Sequence, residues 1–332
     1  MTKLIRLTVL TSLFSLLLTT LHAQKQIVGK VLEQRTNHPI PYTNIGIVNS
    51  NVGTISNEDG SFSVIIPDTY VNDTIIFSAL GYGRKSFPIS NLNSTENLTV
   101  YLNESVTMLR PVTVKAKPEK IKTFWLGNRY HNGGFFYAGS ISAGAAMALL
   151  IENKYPSYSE ELTFPIIIDQ AILRIDANEM GEFKLRVRLL AVDSVTKLPG
   201  NDLFDQSLIV SSSIKKGWLT FDLSPYQLKI NQPFYLVFEW ILNDRDRLAL
   251  LGMYKEFRAQ HPEKFLVDTM MVRGEKIPYN SYQGFRPAVH FGVSPLQFSL
   301  EHYECYARTN SFGEWKKAPV ILTARIAVNN AK

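Results

Sequence analysis

Gly53-Thr-Ile-Ser-Asn-Glu-Asp-Gly-Ser-Phe-Ser-Val64 decides the fold of the first part of the chain. It reads as strand, tight turn, strand. Thr54 and Ile55 are β-prone, Asn57-Glu58-Asp59-Gly60 supplies the turn, and Phe62, Val64 and Ile66 alternate on one face of the returning strand. Asp59-Gly60 is a strong hairpin signal, because glycine takes φ > 0 without a Cβ clash and aspartate tolerates the bend. Working outward, Gln26 to Val31 reads as a strand before it, and His38-Pro39-Ile40-Pro41 as a rigid turn whose prolines exclude helix. Tyr42 to Val48 alternates as the next strand. After the hairpin, Asp73 to Leu80 is β-branched and aromatic up to the bend at Gly81-Tyr82-Gly83. Leu98, Val100 and Leu102 form a last inward-facing triplet. No period of 3.6 appears, so this part is all-β.

Taken together these pieces resemble the carboxypeptidase-regulatory-like domain, a small transthyretin-like or Ig-like β-sandwich. That family usually reads Gly-Thr-x-Thr-Asp-x-x-Gly-x-Phe; here Ser56-Asn57 stands where Thr-Asp is usual. Gln26 to Val31, Ile76-Phe-Ser-Ala-Leu-Gly-Tyr82 and Leu98-Thr-Val-Tyr-Leu102 match in order. The resemblance implies a structural, non-catalytic module: Gly53, Gly60 and Gly81 for bends, Phe62 for packing, Asp59 and Tyr82 completing the motif. Leu109 to Ala116 is similar to the segment that follows this module in TonB-dependent outer-membrane receptors, with Pro111 in place of the usual glutamate. Only about 215 residues remain, too few for that family's plug and transmembrane barrel together.

With 45% hydrophobic and 19% charged residues in 332, the chain has the composition of a folded protein of one or two domains. Lys3 and Arg6, the apolar run Leu7 to Leu18 and Thr19 to Ala23 read as an export signal over residues 1–23. Setting Lys3 and Arg6 aside leaves 33 basic against 29 acidic residues. That mild, dispersed excess does not point to nucleic acid. Cys305 is the sole cysteine, so no intramolecular disulfide forms, and it reads as a small hydrophobe on a strand. The sequence thus divides into the signal, a module over 24–105, a linker over 106–120 and a larger domain over 121–332.

The larger domain reads as a jelly-roll-like β-sandwich of short strands with glycine and proline turns. Phe135 to Ile151 is apolar enough to raise a membrane span, but its small residues favour a turn at Ser142-Ala143-Gly144 and a buried strand over Ala145–Ile151. No transmembrane segment is therefore expected in the mature chain. Thr163 to Ile168 and Gln170 to Ile175 read as two strands flanking Asp169, and Phe234 to Ile241 as a central strand. Phe183, Leu185, Val187 and Leu189 point one way while Lys184, Arg186 and Arg188 point the other, toward solvent. Arg245, Arg247 and Glu256 to Glu263 form a charged insertion with one short helix.

Motifs of catalysis are missing: there is no Gly-x-Ser-x-Gly elbow, His-Glu-x-x-His pair or phosphate-binding glycine loop. Histidines 38, 131, 261, 290 and 302 are scattered singly, so no metal and no cofactor are expected. Glu239 sits in an apolar strand, where an isolated charge needs a partner, and Arg186 or Arg188 is the expected one. Candidate ligand-binding residues are Trp218, Thr220 and Asp222, which lie opposite Leu219, Phe221 and Leu223, together with the basic pair Arg186 and Arg188. The expectation is a non-enzymatic, exported envelope protein of the periplasm or outer membrane that binds an outer-membrane or periplasmic protein or a surface glycan. The alternative is a carbohydrate-active or peptide-cleaving hydrolase built on Glu239 and a second acid 5–10 Å away. An open groove would favour hydrolysis; a buried Glu239 with an exposed Trp218 would favour binding.

Overall fold

A computed structural model describes residues 24–92, 97–105, 122–133, 136–138, 143–152, 163–204, 206–272, 275–282, 288–295 and 303–330. The expected export signal, linker and His302 lie outside the described residues. The chain is all-β and sandwich-like, with one α-helix among the described residues.

The first module holds β1 (Gln24–Glu33), β2 (Asn44–Gly46), β3 (Gly53–Ile55), β4 (Ser61–Pro67), β5 (Thr74–Ser78), β6 (Lys85–Pro88) and β7 (Leu98–Leu102). They form two sheets, β4-β1-β7 and β3-β2-β5-β6. β1 runs antiparallel to β4 and parallel to β7. The alternation read from the sequence holds: Phe62, Val64 and Ile66 are buried, and Phe62 meets Phe77 of the other sheet edge-on with ring centroids 5.4 Å apart. Gly60 has φ +73° at the hairpin, where a Cβ would lie 2.5 Å from the Val31 carbonyl. Ser61 explains part of the turn chemistry, donating from N–H and hydroxyl to Asp59 Oδ1 at 3.2 and 2.6 Å. The unusual Ser56 is buried; its hydroxyl accepts from Thr43 N–H at 2.8 Å and ties the hairpin to the segment before β2.

The second domain begins with β8 (Phe124–Gly127), β9 (Phe136–Ala138), β10 (Ala146–Ile151), β11 (Ile166–Asn178) and β12 (Phe183–Val192). It continues through β13 (Pro199–Asp202), β14 (Leu208–Ser212), β15 (Gly217–Asp222), β16 (Leu228–Ile230) and β17 (Phe234–Ile241) to α1 (Asp244–Gln260). A hairpin of β18 (Phe265–Val272) and β19 (Glu275–Tyr282) follows. β20 (Val289–Phe291), β21 (Val293–Pro295), β22 (Cys305–Arg308), β23 (Lys316–Lys317), β24 (Val320–Leu322) and β25 (Ala324–Asn330) complete it.

One sheet has the order β13-β12-β17-β10-β22-β23, with β14 also on β12. The other has the order β8-β25-β11-β20-β9, with β15 and β16 on β11. Their inner faces share one core, in which Phe221 of β15 and Phe238 of β17 lie 5.4 Å apart. β10, expected from Ala145, is a buried strand over Ala146–Ile151 that follows a turn at Ala143-Gly144, and every residue of β17 is buried. Two readings need correction. Asp169 does not separate two strands: β11 runs unbroken through it and absorbs the irregularity as a register shift between Ile168 and Gln170. The helix is also longer and earlier than expected. Asn243 starts it through a capping box, its side chain accepting from Asp246 N–H at 2.9 Å while Asp246 accepts from Asn243 N–H at 3.2 Å. Within it only Leu250 is buried, so the apolar stripe that usually announces a helix is absent.

Candidate functional site

Two surfaces carry the polar chemistry of the second domain, one on each outer face. Strand alternation sends Lys184, Arg186 and Arg188 of β12, Glu239 of β17 and Arg308 of β22 to the outer face of the first sheet. Arg186 lies directly opposite Glu239, and Arg188 two residues further along. Arg308 sits two strands from Glu239, with Ala146 in register between them. Alanine leaves that space open, so the Arg308 guanidinium reaches across it.

Glu239 is 0% exposed and accepts from all three arginines. Arg186 Nη1 reaches Oε1 at 3.1 Å; Arg188 Nη1 and Arg308 Nη2 reach Oε2 at 2.6 and 3.0 Å. Arg188 also grips Asp202 with two parallel bonds of 2.9 and 2.7 Å. Burial alone would raise the Glu239 pKa, but the Arg188, Arg186 and Arg308 charges overcome it and hold the carboxyl at about 2. The arginines divide differently. Burial lowers the pKa of Arg186, and pushes Arg308 down to about 10, because each shares one carboxylate with two rivals. Burial also opposes the charge of Arg188, but Asp202 and Glu239 together raise it.

The first module covers this network. Arg186 Nη2 donates to the Tyr42 carbonyl at 2.6 Å, and Tyr42 adopts φ +54°, a left-handed conformation unusual outside glycine. The first turn of α1 grips the hairpin that identifies the module: Asp244 accepts from Ser63 N–H at 2.9 Å, and Arg247 Nη1 donates to Thr54 Oγ1 at 3.0 Å. A third contact lies beyond β22, where Asn49 N–H donates to the Phe312 carbonyl at 3.0 Å and Asn310 donates to the Ser50 carbonyl. Ile55 of the module belongs to the core of the second domain.

The expected basic face is therefore not one. Arg186 is 2% exposed, Arg188 is half-enclosed between Glu239 and Asp202, and Lys184 pairs with Asp246 of α1 at 3.3 Å. Alternation in β12 separates two faces correctly, but here both are covered. Nor do Arg186 and Arg188 join Trp218, Thr220 and Asp222, which lie on the opposite sheet.

That opposite face is the second surface. Trp218, Thr220 and Asp222 are exposed and pair in register with Arg174, Ile172 and Gln170 of β11. Ile172 pairs onward with Arg325 of β25, and Ala327 with Trp125 of β8. Trp218 is 39% exposed and Trp125 37%, with the Arg174 guanidinium 5.9 Å from the first ring and Arg325 4.8 Å from the second. Asp222 is partly occupied by its own turn, accepting from Ser224 N–H and hydroxyl, and the hydroxyl foremost lowers its pKa. Trp125 and Arg325 were absent from the sequence-derived ligand set, and Arg174, which the sequence places with Arg186 and Arg188, lies instead beside Trp218 on the opposite sheet; alternating Trp125 in Phe124-Trp-Leu126 was the available signal for the first.

Cys305 is buried on β22, and burial pushes its thiol up to about 12, as suits a packing residue. Among the described residues no group of three His, Cys, Asp or Glu could hold a metal ion, and no helix is long and apolar enough to cross a membrane.

Comparison with known proteins supports the module. Residues 27–114 match the family model of the CarboxypepD_reg-like domain, so the N-terminal module is one. No curated protein matches the chain. Among solved structures it is similar to the cysteine protease and lectin-like domains of Cwp84, a surface layer associated protein of Clostridium difficile, at 11% identity and a TM-score of 0.32. That match covers 65% of this chain and 37% of that one. It is also similar to the clostridial cysteine protease Cwp84 after propeptide cleavage, at 10% identity and a TM-score of 0.32, covering 94% of this chain and 73% of that one.

Proposed function

We propose that this is a non-enzymatic, exported protein of the periplasm or outer membrane, in which the CarboxypepD_reg-like module and the larger sandwich act as one binding or assembly unit. Its recognition surface is the outer face of the second sheet, and its ligand a surface glycan. The observation that carries the reading is the array of two exposed tryptophans, Trp218 and Trp125, each beside an arginine on the neighbouring strand. Flat aromatic faces flanked by donors suit sugar rings, whose C–H faces stack while hydroxyls and acid groups take the hydrogen bonds. Glu239 weighs in the same direction. A carboxylate sealed from solvent and held by three arginines has neither the access nor the raised pKa of a general acid. The apolar run between Lys3 and Thr19 supports export.

A glycan array and an envelope pull-down with wild type and Trp218→Ala test this. Loss of one specific glycan in the variant is expected; loss of an outer-membrane protein instead would replace the glycan with a protein partner. Unchanged binding would remove Trp218 from the site. Turnover of a glycan or peptide that Glu239→Gln abolishes would overturn the non-enzymatic reading.

A further inference from the structure

We propose that the cleft between the first module and the β22–β23 edge of the larger sandwich is a binding site for an oxyanion, a carboxylate or phosphate group on a small ligand. The cleft holds about 510 Å³ and is walled by Asn49, Ser50 and Asn51 on one side and by Arg308, Lys316 and Lys317 on the other. It lies at the far end of the arginine network from Arg188, and it is independent of the tryptophan face.

Charge is the first argument. Among the described residues the network sets Arg186, Arg188 and Arg308 against Glu239 and Asp202, leaving one buried positive charge in excess. Arg186 and Arg188 are well provided with acceptors: Ser207, Asn44 and the Tyr42 carbonyl for one, Asp202 for the other. Arg308 is the under-compensated member. It is 8% exposed, gives one bond to Glu239, and lies 4.6 Å beneath the Trp315 ring. Its Nε is buried and has no acceptor among the described residues. A buried donor on a buried cation is satisfied best by an anion.

Composition of the wall is the second argument. Lys317 pairs with Tyr306 and so shares the face of Arg308, while Lys316, which also lines the cleft, alternates to the other face and lies 3.9 Å from the Glu314 carboxylate. Asn49 and Asn51 line the opposite side, and the Asn51 carbonyl oxygen already accepts from the Thr309 hydroxyl at 3.1 Å, which leaves its amide nitrogen as the donor. Arg308 and Lys317 on one wall and the asparagines on the other fit one oxyanion with a polar, sugar-sized or smaller remainder. Another cleft between the modules, of about 360 Å³, contains Arg188 and Asp202 already paired to each other. Because both modules supply walls, a bound anion holds them together.

Titration of the full chain with sodium phosphate and with sodium glucuronate, each against sodium chloride at matched ionic strength, tests the site. Calorimetry and melting temperature are the readouts. A saturable signal with phosphate alone assigns a phosphate-bearing ligand, and one with glucuronate alone a carboxylate. Lys317→Gln, on the exposed rim, should fold normally and weaken binding at least fivefold; Arg308→Gln should abolish it. Trp218→Ala should leave it unchanged, which separates this site from the proposed glycan face. No saturable signal with either anion, chloride acting equally, or wild-type affinity in a Lys316→Gln/Lys317→Gln variant would overturn the assignment.

Discussion

Replacing Glu239 with glutamine removes the carboxylate shared by Arg186, Arg188 and Arg308 while keeping its volume. Glutamine still accepts one or two hydrogen bonds, so packing barely changes, but three buried guanidiniums then face Asp202 alone. Breaking a buried ion pair by removing one partner costs about 3–5 kcal/mol. For a domain of this size about 1 kcal/mol moves the melting temperature by roughly 2–4 °C, so a fall of roughly 6–20 °C is expected at pH 7. The pH dependence has a definite sign. The Glu239 carboxyl is held at about 2 in the folded chain against an ordinary 4.5, so its stabilisation is fully present above pH 4.5 and is lost as pH falls toward 2. Scanning calorimetry of wild type and variant should therefore show a gap that is widest at neutral pH and closes below pH 4.5. A gap under 1 °C at pH 7, or one that persists unchanged at pH 2.5, would refute the claim that Glu239 is the ionised hub of this interface.

Ala146→Leu should destabilise by about 1–3 kcal/mol from overpacking, and by more if it displaces Arg308, since Ala146 is fully buried in register between Glu239 and Arg308; urea midpoints would measure it. Gly60→Val forces a β-branched residue to φ +73° with its Cβ 2.5 Å from the Val31 carbonyl, and should cost more than about 1 kcal/mol. If Gly60→Val removed binding while leaving the urea midpoint in place, the structural role given to the hairpin would be wrong.

Local features were legible in the sequence and distant ones were not, for a physical reason in each case. The hairpin at Asp59-Gly60 and the buried strand after Gly144 are set by backbone needs within a few residues, so their composition announces them. Glu239 was readable as a paired charge because an ionised group in the run Phe234 to Ile241 has no other stable state. Arg186 and Arg188 were readable as partners because they share the next strand. Arg308 was not, since it meets Glu239 across β10, and strand order is a property of the assembled sheet. The exposure of β12 was misread because period-two alternation distinguishes two faces without saying what covers either. For α1 the difficulty was the reverse: it is held by its Asn243 cap and by its first turn on the hairpin, so little apolar periodicity was needed to form it.

The same contacts explain how the modules are oriented. An apolar interface is non-directional and tolerates small rotations. Here orientation rests on polar contacts from three separate parts of the first module: Tyr42 to Arg186, the Thr54–Ser63 hairpin to Arg247 and Asp244, and Asn49–Ser50 to Phe312 and Asn310. Three separated directional contacts fix both position and angle, as a tripod does, where one would leave a hinge. The central contact depends on the left-handed backbone at Tyr42, which turns its carbonyl to Arg186, and Arg186 in turn is positioned by Glu239. Burying those ions sacrifices stability that apolar packing of equal volume would supply. What the chain gains is a single geometry for the clefts between its modules, because any rotation that opened them would strip a buried guanidinium of an acceptor.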